Sequence, residues 1–285
     1  MASKRVSKDG KQRIQRVLAD AGVASRRACE ELVLEGVVTV NGKTIRTLPA
    51  FVDPEEDDIR VTGRRIKKTR SNIYVMLFKP RGYVCTAHDP EGRKRAVDLV
   101  QHPSGARLFT VGRLDLDSSG LLLLTDDGDM ANTLTHPRYE IHKGYDVTVR
   151  GRVETEAIEK IKKGVYLADK TGKAVRTRQP GVVVVRRERD RTRLHIELRE
   201  GRNRQIRRLL ERVGHPVKKL RRTRLGPLQL KGLAMGEWRE LTSSELGSLK
   251  KAASKALKQV DVSKARKKRT RTNSSNARRR SSISL

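Results

Sequence analysis

Four consecutive leucines, Leu121 to Leu124, lie between a polar loop ending in Ser118-Ser119-Gly120 and the turn signal Asp126-Asp127-Gly128. An apolar run this short, bounded by turn formers on both sides, reads as a buried strand. It is far below the roughly 20 apolar residues of a membrane-spanning helix, and no other stretch approaches that length. Residues 108–111 read as a second buried strand just before the loop. The loop between them carries Asp115, and Gly112, Ser118, Ser119 and Gly120 allow tight backbone turns there. A carboxylate held in a polar loop on a rigid sheet is a candidate nucleophile or acid/base. A turn or capping aspartate is the plainer alternative. Asp115, Asp117, Ser119, Gly120 and Asp126 also fall at the spacing of a calcium loop. Leucines fill the intervening positions as a strand requires, so no metal is expected.

The rest of the chain divides around this centre. Ile14, Val17, Leu18 and Ala21 recur at helical spacing, and Gly22 can end that helix. Ser25 is a plausible N-cap for a second helix, with Ala28, Leu32 and Val33 inward and Gly36 past its end. Residues 37–40 and 43–46 flank Asn41-Gly42, the strongest short hairpin signal, and residues 59–61 make one more strand. These elements form a first unit over 11–68. The basic stretch 63–70 connects it to a second unit over 73–245. Strands are expected there at 74–78, 145–151, 182–187, 193–199, around 226–231 and at 237–241, with helices at 154–163 and 202–213. The fold class is α+β: two helices plus a small sheet, then a mixed, largely antiparallel sheet domain. A helix is possible over 243–258, and the basic tail 260–285 is too poor in apolar residues to fold alone.

Charge limits what such a chain can meet. The formal net charge is +32, from 65 Lys and Arg against 33 Asp and Glu. Residues 250–285 hold thirteen Lys and Arg and one acid, Asp261, so +20 remains on residues 1–249. The folded part therefore faces a polyanion as well as the tail, and nucleic acid is the commonest one. A membrane surface is disfavoured, since no apolar segment follows the basic N-terminus. Two cysteines, Cys29 and Cys85, make no disulfide framework and suit a reducing cytoplasm. No GxGxxG follows a strand, which disfavours a methyltransferase-like cofactor site.

Two further segments carry candidate residues. In residues 142–149, Tyr145 begins a strand beside Lys143; it is either a core aromatic or a ring for stacking on a base. In residues 198–228, Ile206, Leu209, Leu210 and Val213 form an apolar stripe and Arg204, Arg208 and Arg212 a basic one. Arg207 lies beside the apolar stripe, where it can turn toward the sheet and meet a buried acid. Lys218, Lys219, Arg221, Arg222 and Arg224 extend the basic character. Ser25, Arg26 and Arg27 start a helix whose amide end suits phosphate. A solvated helix face is the alternative for each basic group.

The N-terminal pattern over residues 13–42 resembles the S4 RNA-binding domain. Residues 79–86 (KPRGYVCT), 111–125 (VGRLDLDSSGLLLLT), 140–149 (EIHKGYDVTV) and 200–217 (EGRNRQIRRLLERVGHPV) resemble the bacterial ribosomal RNA pseudouridine synthases of the RsuA/RluB type. The resemblance spans roughly residues 11–245. It implies isomerisation of a uridine in ribosomal RNA and no external cofactor; the long basic tail favours large-subunit RNA. The resemblance puts the catalytic aspartate at Asp115, the strand tyrosine at Tyr145 and the acid-pairing arginine at Arg207. His142 stands where related sequences often carry a glutamate. Lys79, Arg113, Arg202, Arg204, Arg208, Arg212, Lys218, Lys219, Arg221 and Arg222, with Ser25, Arg26 and Arg27, are expected to contact structured RNA. The chain is expected to act as a cytoplasmic monomer. A non-catalytic RNA-binding or ribosome-assembly factor is the rival.

Overall fold

The computed structural model describes residues 10–66, 71–169 and 171–281, with side chains described as far as Val262. Residues 67–70 of the connector, the first nine residues and most of the tail's side chains lie outside that set. The chain forms two compact units. One contains the chain up to Ile73 with two short segments, His102–Leu108 and Asp126–Gly128; the other contains the remainder.

The first unit opens with β1 (Gln12–Arg13), α1 (Ile14–Asp20) and α2 (Arg26–Leu34). Short strands follow: β2 (Val38–Val40), β3 (Lys43–Thr44), β4 (Phe51–Val52), β5 (Ile59–Val61) and β6 (Arg64–Arg65). Sheet order is β3-β2-β5-β6, all antiparallel, and β1 pairs with β4. Ser25 caps α2, its Oγ accepting from Ala28 N at 3.1 Å, which satisfies a helix-start donor. Asn41 and Gly42 both take positive φ, 51° and 79°, as a two-residue hairpin turn demands. Ile14, Leu18, Cys29, Val33, Val38, Val52 and Ile59 make the core. Cys29 takes the fully buried position on α2, while Ala28 and Leu32 are half-buried.

The second unit is built on one sheet. In chain order come β7 (Tyr74–Lys79), β8 (Phe109–Thr110), β9 (Ser119–Thr125), α3 (Gly128–Thr135), β10 (Lys143–Arg150) and α4 (Thr155–Lys163). Then follow β11 (Tyr166–Ala168), β12 (Ala174–Arg176), β13 (Gly181–Arg187), β14 (Arg191–Leu198) and α5 (Gln205–Arg212). The last elements are β15 (Val217–Leu225), β16 (Leu228–Gln229), β17 (Trp238–Glu240) and α6 (Ser243–Ser281). Strand order is β13-β14-β10-β15-β9-β7-β17, with β16 on β15 and β8 on β9. The strand pairings are antiparallel except β9 with β15, which run parallel. The four leucines are fully buried at the centre of this sheet. Leu121 and Leu123 pack with Tyr74 and Met76 against Leu134 of α3 and Leu249 of α6, which removes apolar surface from water on both sheet and helices.

Several elements depart from the sequence reading. Residues 217–225 form a nine-residue strand where only a basic surface was expected. Its inward positions include Arg222, 2% exposed, and bulges shift its register against β10, so the period-two apolar signal is absent. Residues 128–135 form a helix, which the sequence reading, with its turn at 126–128, leaves unassigned. Helix α5 starts at Gln205 and not at 202, because Arg204 takes a left-handed conformation, φ 45°. At the C-terminus, α6 runs through Ser281. Among the described side chains, its buried residues Leu249, Ala253 and Ala256 lie in its first part. No described helix is long and apolar enough to cross a membrane.

The parallel junction depends on one glycine. Gly120 has φ +119°, and a Cβ there would sit 2.2 Å from Arg222 O and 2.5 Å from Arg222 N. Both atoms are backbone, so relief requires moving a strand. Gly120→Ala is therefore expected to destabilise the second unit by about 3 kcal/mol, from overpacking and backbone strain together. Thermal or urea unfolding of full-length protein checks this; an unchanged midpoint contradicts the junction's geometry.

Candidate active site

The loop between β8 and β9 is held from beneath by a lysine. Lys79, fully buried at the end of β7, donates from Nζ to Pro80 O at 2.8 Å, Ser118 O at 2.9 Å and Asp115 O at 3.3 Å. Burial pulls its pKa down, opposed by Cys85, Asp115 and Asp117. An ammonium with all its donors engaged by carbonyls cannot reach solvent, so Lys79 is a loop anchor and not the RNA contact expected from sequence. Gly82 N donates to Leu116 O at 2.8 Å and Leu114 N to Cys85 Sγ at 3.4 Å, adding two ties to the same loop.

The arginines before and in α5 meet the loop's carboxylates from above. Arg204 Nη1 lies 3.8 Å from Asp115 Oδ2, and Arg204 Nη2 lies 3.2 Å from Asp117 Oδ2. Arg207 Nη2 lies 3.1 Å from Asp117 Oδ1 and donates to Asp117 O at 3.2 Å and Ser118 Oγ at 3.3 Å. Arg207 thus turns toward the sheet, but its direct acidic partner is Asp117. Arg204 makes the close approach to Asp115. Burial pushes the Asp117 carboxyl up, and the hydrogen bond from Arg204 with the charges of Arg207 and Arg204 more than reverses it, leaving the pKa lowered. Burial also lowers Arg207, against the pull of Asp117.

Asp115, 32% exposed by side chain, opens into a cavity of about 270 Å³. Tyr145 of β10 and Arg222 of β15 line it as direct register partners. Lys143, two residues before Tyr145, lines it too and donates to Ile141 O at 3.1 Å. Burial, with Arg222 nearby, pushes Lys143 down to about 8. Arg222 donates from Nε to Leu121 O at 2.8 Å, and its buried Nη2 has no hydrogen-bond partner among the described residues. Arg113, Arg202 and Arg204 rim the opening, and Val111, Leu134 and Leu225 supply apolar wall. Asp115 is the sole carboxylate among the described lining residues. The arrangement can aim one carboxylate at a ring-sized guest while presenting cations to its polar edge.

The remaining expected contacts are dispersed. Arg222 is a buried wall residue and not a surface one. Arg221 pairs with Asp146, and register puts both on the opposite sheet face from Tyr145, together with Lys219. Arg208 donates to Ala168 O at 2.6 Å and Arg202 to Glu200 at 3.3 Å. Arg212 is exposed at the end of α5. In the first unit, Ser25 is occupied as a cap, Arg26 lies 3.9 Å from Asp20, and Arg27 is exposed. Sequence reasoning misses Lys143 as a site residue although it stands beside Tyr145; its place two residues before Tyr145 on the same strand, hence on the same face, is the available signal. No group of three His, Cys, Asp or Glu among the described residues could hold a metal ion.

Residues 73–212 match the RNA pseudouridylate synthase family, and residues 12–58 match the S4 domain. An RNA pseudouridine synthase of Aquifex aeolicus, uncharacterized by its name, is 42% identical, over 84% of this chain and 94% of its own. The ribosomal large subunit pseudouridine synthase B of Bacillus subtilis is 41% identical, over 85% and 97%. A crystal structure of a pseudouridylate synthase superposes with a TM-score of 0.60 at 27% identity, covering 83% of this chain and 99% of that one. A loop carboxylate facing a tyrosine across a cationic cavity thus stands on a fold and a sequence that agree, and the chain belongs to the RNA pseudouridine synthases of the S4-bearing RsuA/RluB type.

Proposed function

We propose that this enzyme isomerises a uridine of large-subunit ribosomal RNA, with the Asp115 carboxylate as the attacking group. The observation that carries the reading is that Asp115 is the one carboxylate among the described residues lining a cavity ringed by cations. The named Bacillus subtilis relative supports the large subunit as substrate. The reaction breaks the N1–C1′ bond, turns the uracil and joins C5 to C1′; the proton leaving C5 is balanced by one gained at N1. Atoms and electrons are conserved within the nucleotide, so no external cofactor is called for. Attack at C1′ and attack at C6 of the base both start from an ionised carboxylate. Arg204 supplies a positive charge 3.8 Å from the Asp115 carboxylate. Arg207 acts one step removed, fixing Asp117 and Ser118 and with them the loop.

The uridine must leave its stack to enter a cavity of this depth. Tyr145 then offers a face for the base and a hydroxyl for the C5 proton. The detached uracil keeps the electron pair of the N1–C1′ bond. Lys143 and Arg222 stand beside Tyr145 as donors to its oxygens, where low polarity strengthens their effect. Asp115, Tyr145, Arg204 and Arg207 come from one chain, so a monomer suffices. The free cysteines Cys29 and Cys85 fit action in the cytoplasm. The S4 unit and the basic tail add phosphate contacts.

Asp115→Asn is expected to abolish isomerisation while RNA affinity stays within a few fold. Tritium release from C5-labelled ribosomal RNA is the measurement, and turnover by the variant removes Asp115 from its role; no release by the wild type favours a binding protein instead. Lys79→Met is expected to cut kcat by roughly 100-fold, about 2.7 kcal/mol, with RNA affinity unchanged. Equal loss of affinity returns Lys79 to the RNA contacts.

The third prediction concerns pH. Lys143 is protonated below about 8 and loses its charge as pH rises through that value. Single-turnover rate at saturating RNA should therefore fall on the alkaline side near pH 8. Arg222 faces Lys143 from β15, Asp115 and Arg113 from the loop, and Arg202 and Arg204 from the approach to α5. Lys143→Arg should retain activity and move the limb to higher pH. A limb that stays in place belongs to another group.

A further inference from the structure

We propose that the sheet face opposite the catalytic cavity binds the phosphate backbone of a second segment of the substrate RNA. Alternation along a strand sends neighbours to opposite faces. Tyr145, paired with Ile196 and Arg222, points into the cavity, so the next row, Asp146 with His195 and Arg221, points away. The following outward row is Thr148 with Arg193 and Lys219. Asp146, Arg221, Thr148, Arg193 and Lys219 line a second concavity of about 700 Å³, which Arg81, Arg191 and Lys218 also border.

Charge decides what this face meets. A merely solvated sheet face carries both signs. Here Asp146 is the one carboxylate among the described lining residues, and it is already bound by Arg221 at 2.9 Å and His195 at 3.1 Å. Lys218 lies 3.8 Å from Asp190, and Arg191 is paired to Glu188. Arg81, Arg193 and Lys219 are exposed and have no acidic partner among the described residues. Unpaired cations gathered on a concave surface favour a polyanion by counterion release. Phe78, Val185 and Met235 add apolar surface between them, with Val185 63% and Met235 59% exposed. A sugar-phosphate strand with its bases offers the matching chemistry.

One nucleotide cannot touch both faces, since a sheet with its side chains is roughly 10 Å thick. A short RNA occupying the cavity therefore leaves this face empty, and only a longer RNA that turns around the sheet engages it. The inference rests on the reading of large RNA as substrate, and the two fail separately. Wild-type turnover of ribosomal RNA tests the reading alone.

The test uses full-length protein carrying Arg193→Glu with Lys219→Glu, and a milder pair, Arg193→Gln with Lys219→Gln. Substrates are full-length large-subunit ribosomal RNA and a fragment of about 20 nucleotides around the position modified in it. For the long RNA, KM should rise at least tenfold in the Glu pair and less in the Gln pair, with kcat within twofold. The slope of log affinity against log salt should flatten by about 2, because each substitution leaves one phosphate without its cation. The fragment should bind and turn over as with wild type. Unchanged long-RNA affinity and slope overturn the proposal, whatever else occupies the face. Equal losses on fragment and long RNA also overturn it, because the residues then act through the overall field. Should the Glu pair melt early, the Gln pair decides by the same readouts.

Discussion

The site depends on the approach of β9 to β15 at Gly120. The register row through that point reads Lys79, Gly120, Arg222, Tyr145 and Ile196 across β7, β9, β15, β10 and β14. Lys79 anchors the loop that carries Asp115, and Arg222 and Tyr145 form the cavity wall facing it. A single row of backbone hydrogen bonds therefore fixes the carboxylate's support and the opposite wall relative to each other. Only a residue without a Cβ lets the strands close to that distance, since backbone and not a movable side chain fills the space. Positioning of this kind comes from rigid elements, while the proposed nucleophile sits on the loop between them.

The same row places positive charge where burial makes it unfavourable. Lys79 and Arg222 are 0% and 2% exposed, and neither has a carboxylate within its hydrogen bonds. Lys79 recovers part of the desolvation cost through three carbonyls, which are acceptors of partial charge. Arg222 recovers less, with Nη2 unsatisfied. An unpaired buried donor of this sort weakens the free protein. The arrangement makes sense where the guest brings oxygens that accept from it. Stability and function thus pull in opposite directions at Arg222, and the four buried leucines beside it supply apolar burial that offsets the cost.

How much of this was legible in the sequence follows from which signals are local. The leucine run, the Asn41-Gly42 hairpin and the Ser25 cap each depend on a few adjacent residues, and each stands in the structure where its local chemistry puts it. The loop position of Asp115 followed from the same local logic. Strand β15 escaped because a buried arginine and two register shifts erase its alternation, so VKKLRRTRL looks like a charged surface. Lys79 is deceptive for a related reason: a lysine before a Pro-Arg-Gly turn looks solvent-facing until carbonyls 36 and 39 positions downstream close over it. The division of Arg221 and Arg222 between two faces is a matter of register, which no stretch of sequence states by itself. The pairing of Arg207 with Asp117, where the resemblance pointed to Asp115, is likewise a matter of side-chain placement.

Arg204 shows how the loop and α5 are joined. It is a non-glycine residue with φ 45° at the start of a helix, and its side chain caps nothing. Left-handed backbone at such a residue is strained and persists only when other contacts hold it. Those contacts are Asp115 at 3.8 Å and Asp117 at 3.2 Å. Had the helix begun at 202, Arg204 would continue the stripe of Arg208 and Arg212 along one side of α5. The left-handed turn removes it from that stripe and aims it at the carboxylates. Arg207, three residues on and inside the helix, then reaches Asp117 from a neighbouring direction. Two guanidiniums on Asp117 engage the second carboxylate of the loop, while Asp115, met at longer range by Arg204, has the less engaged oxygens of the two.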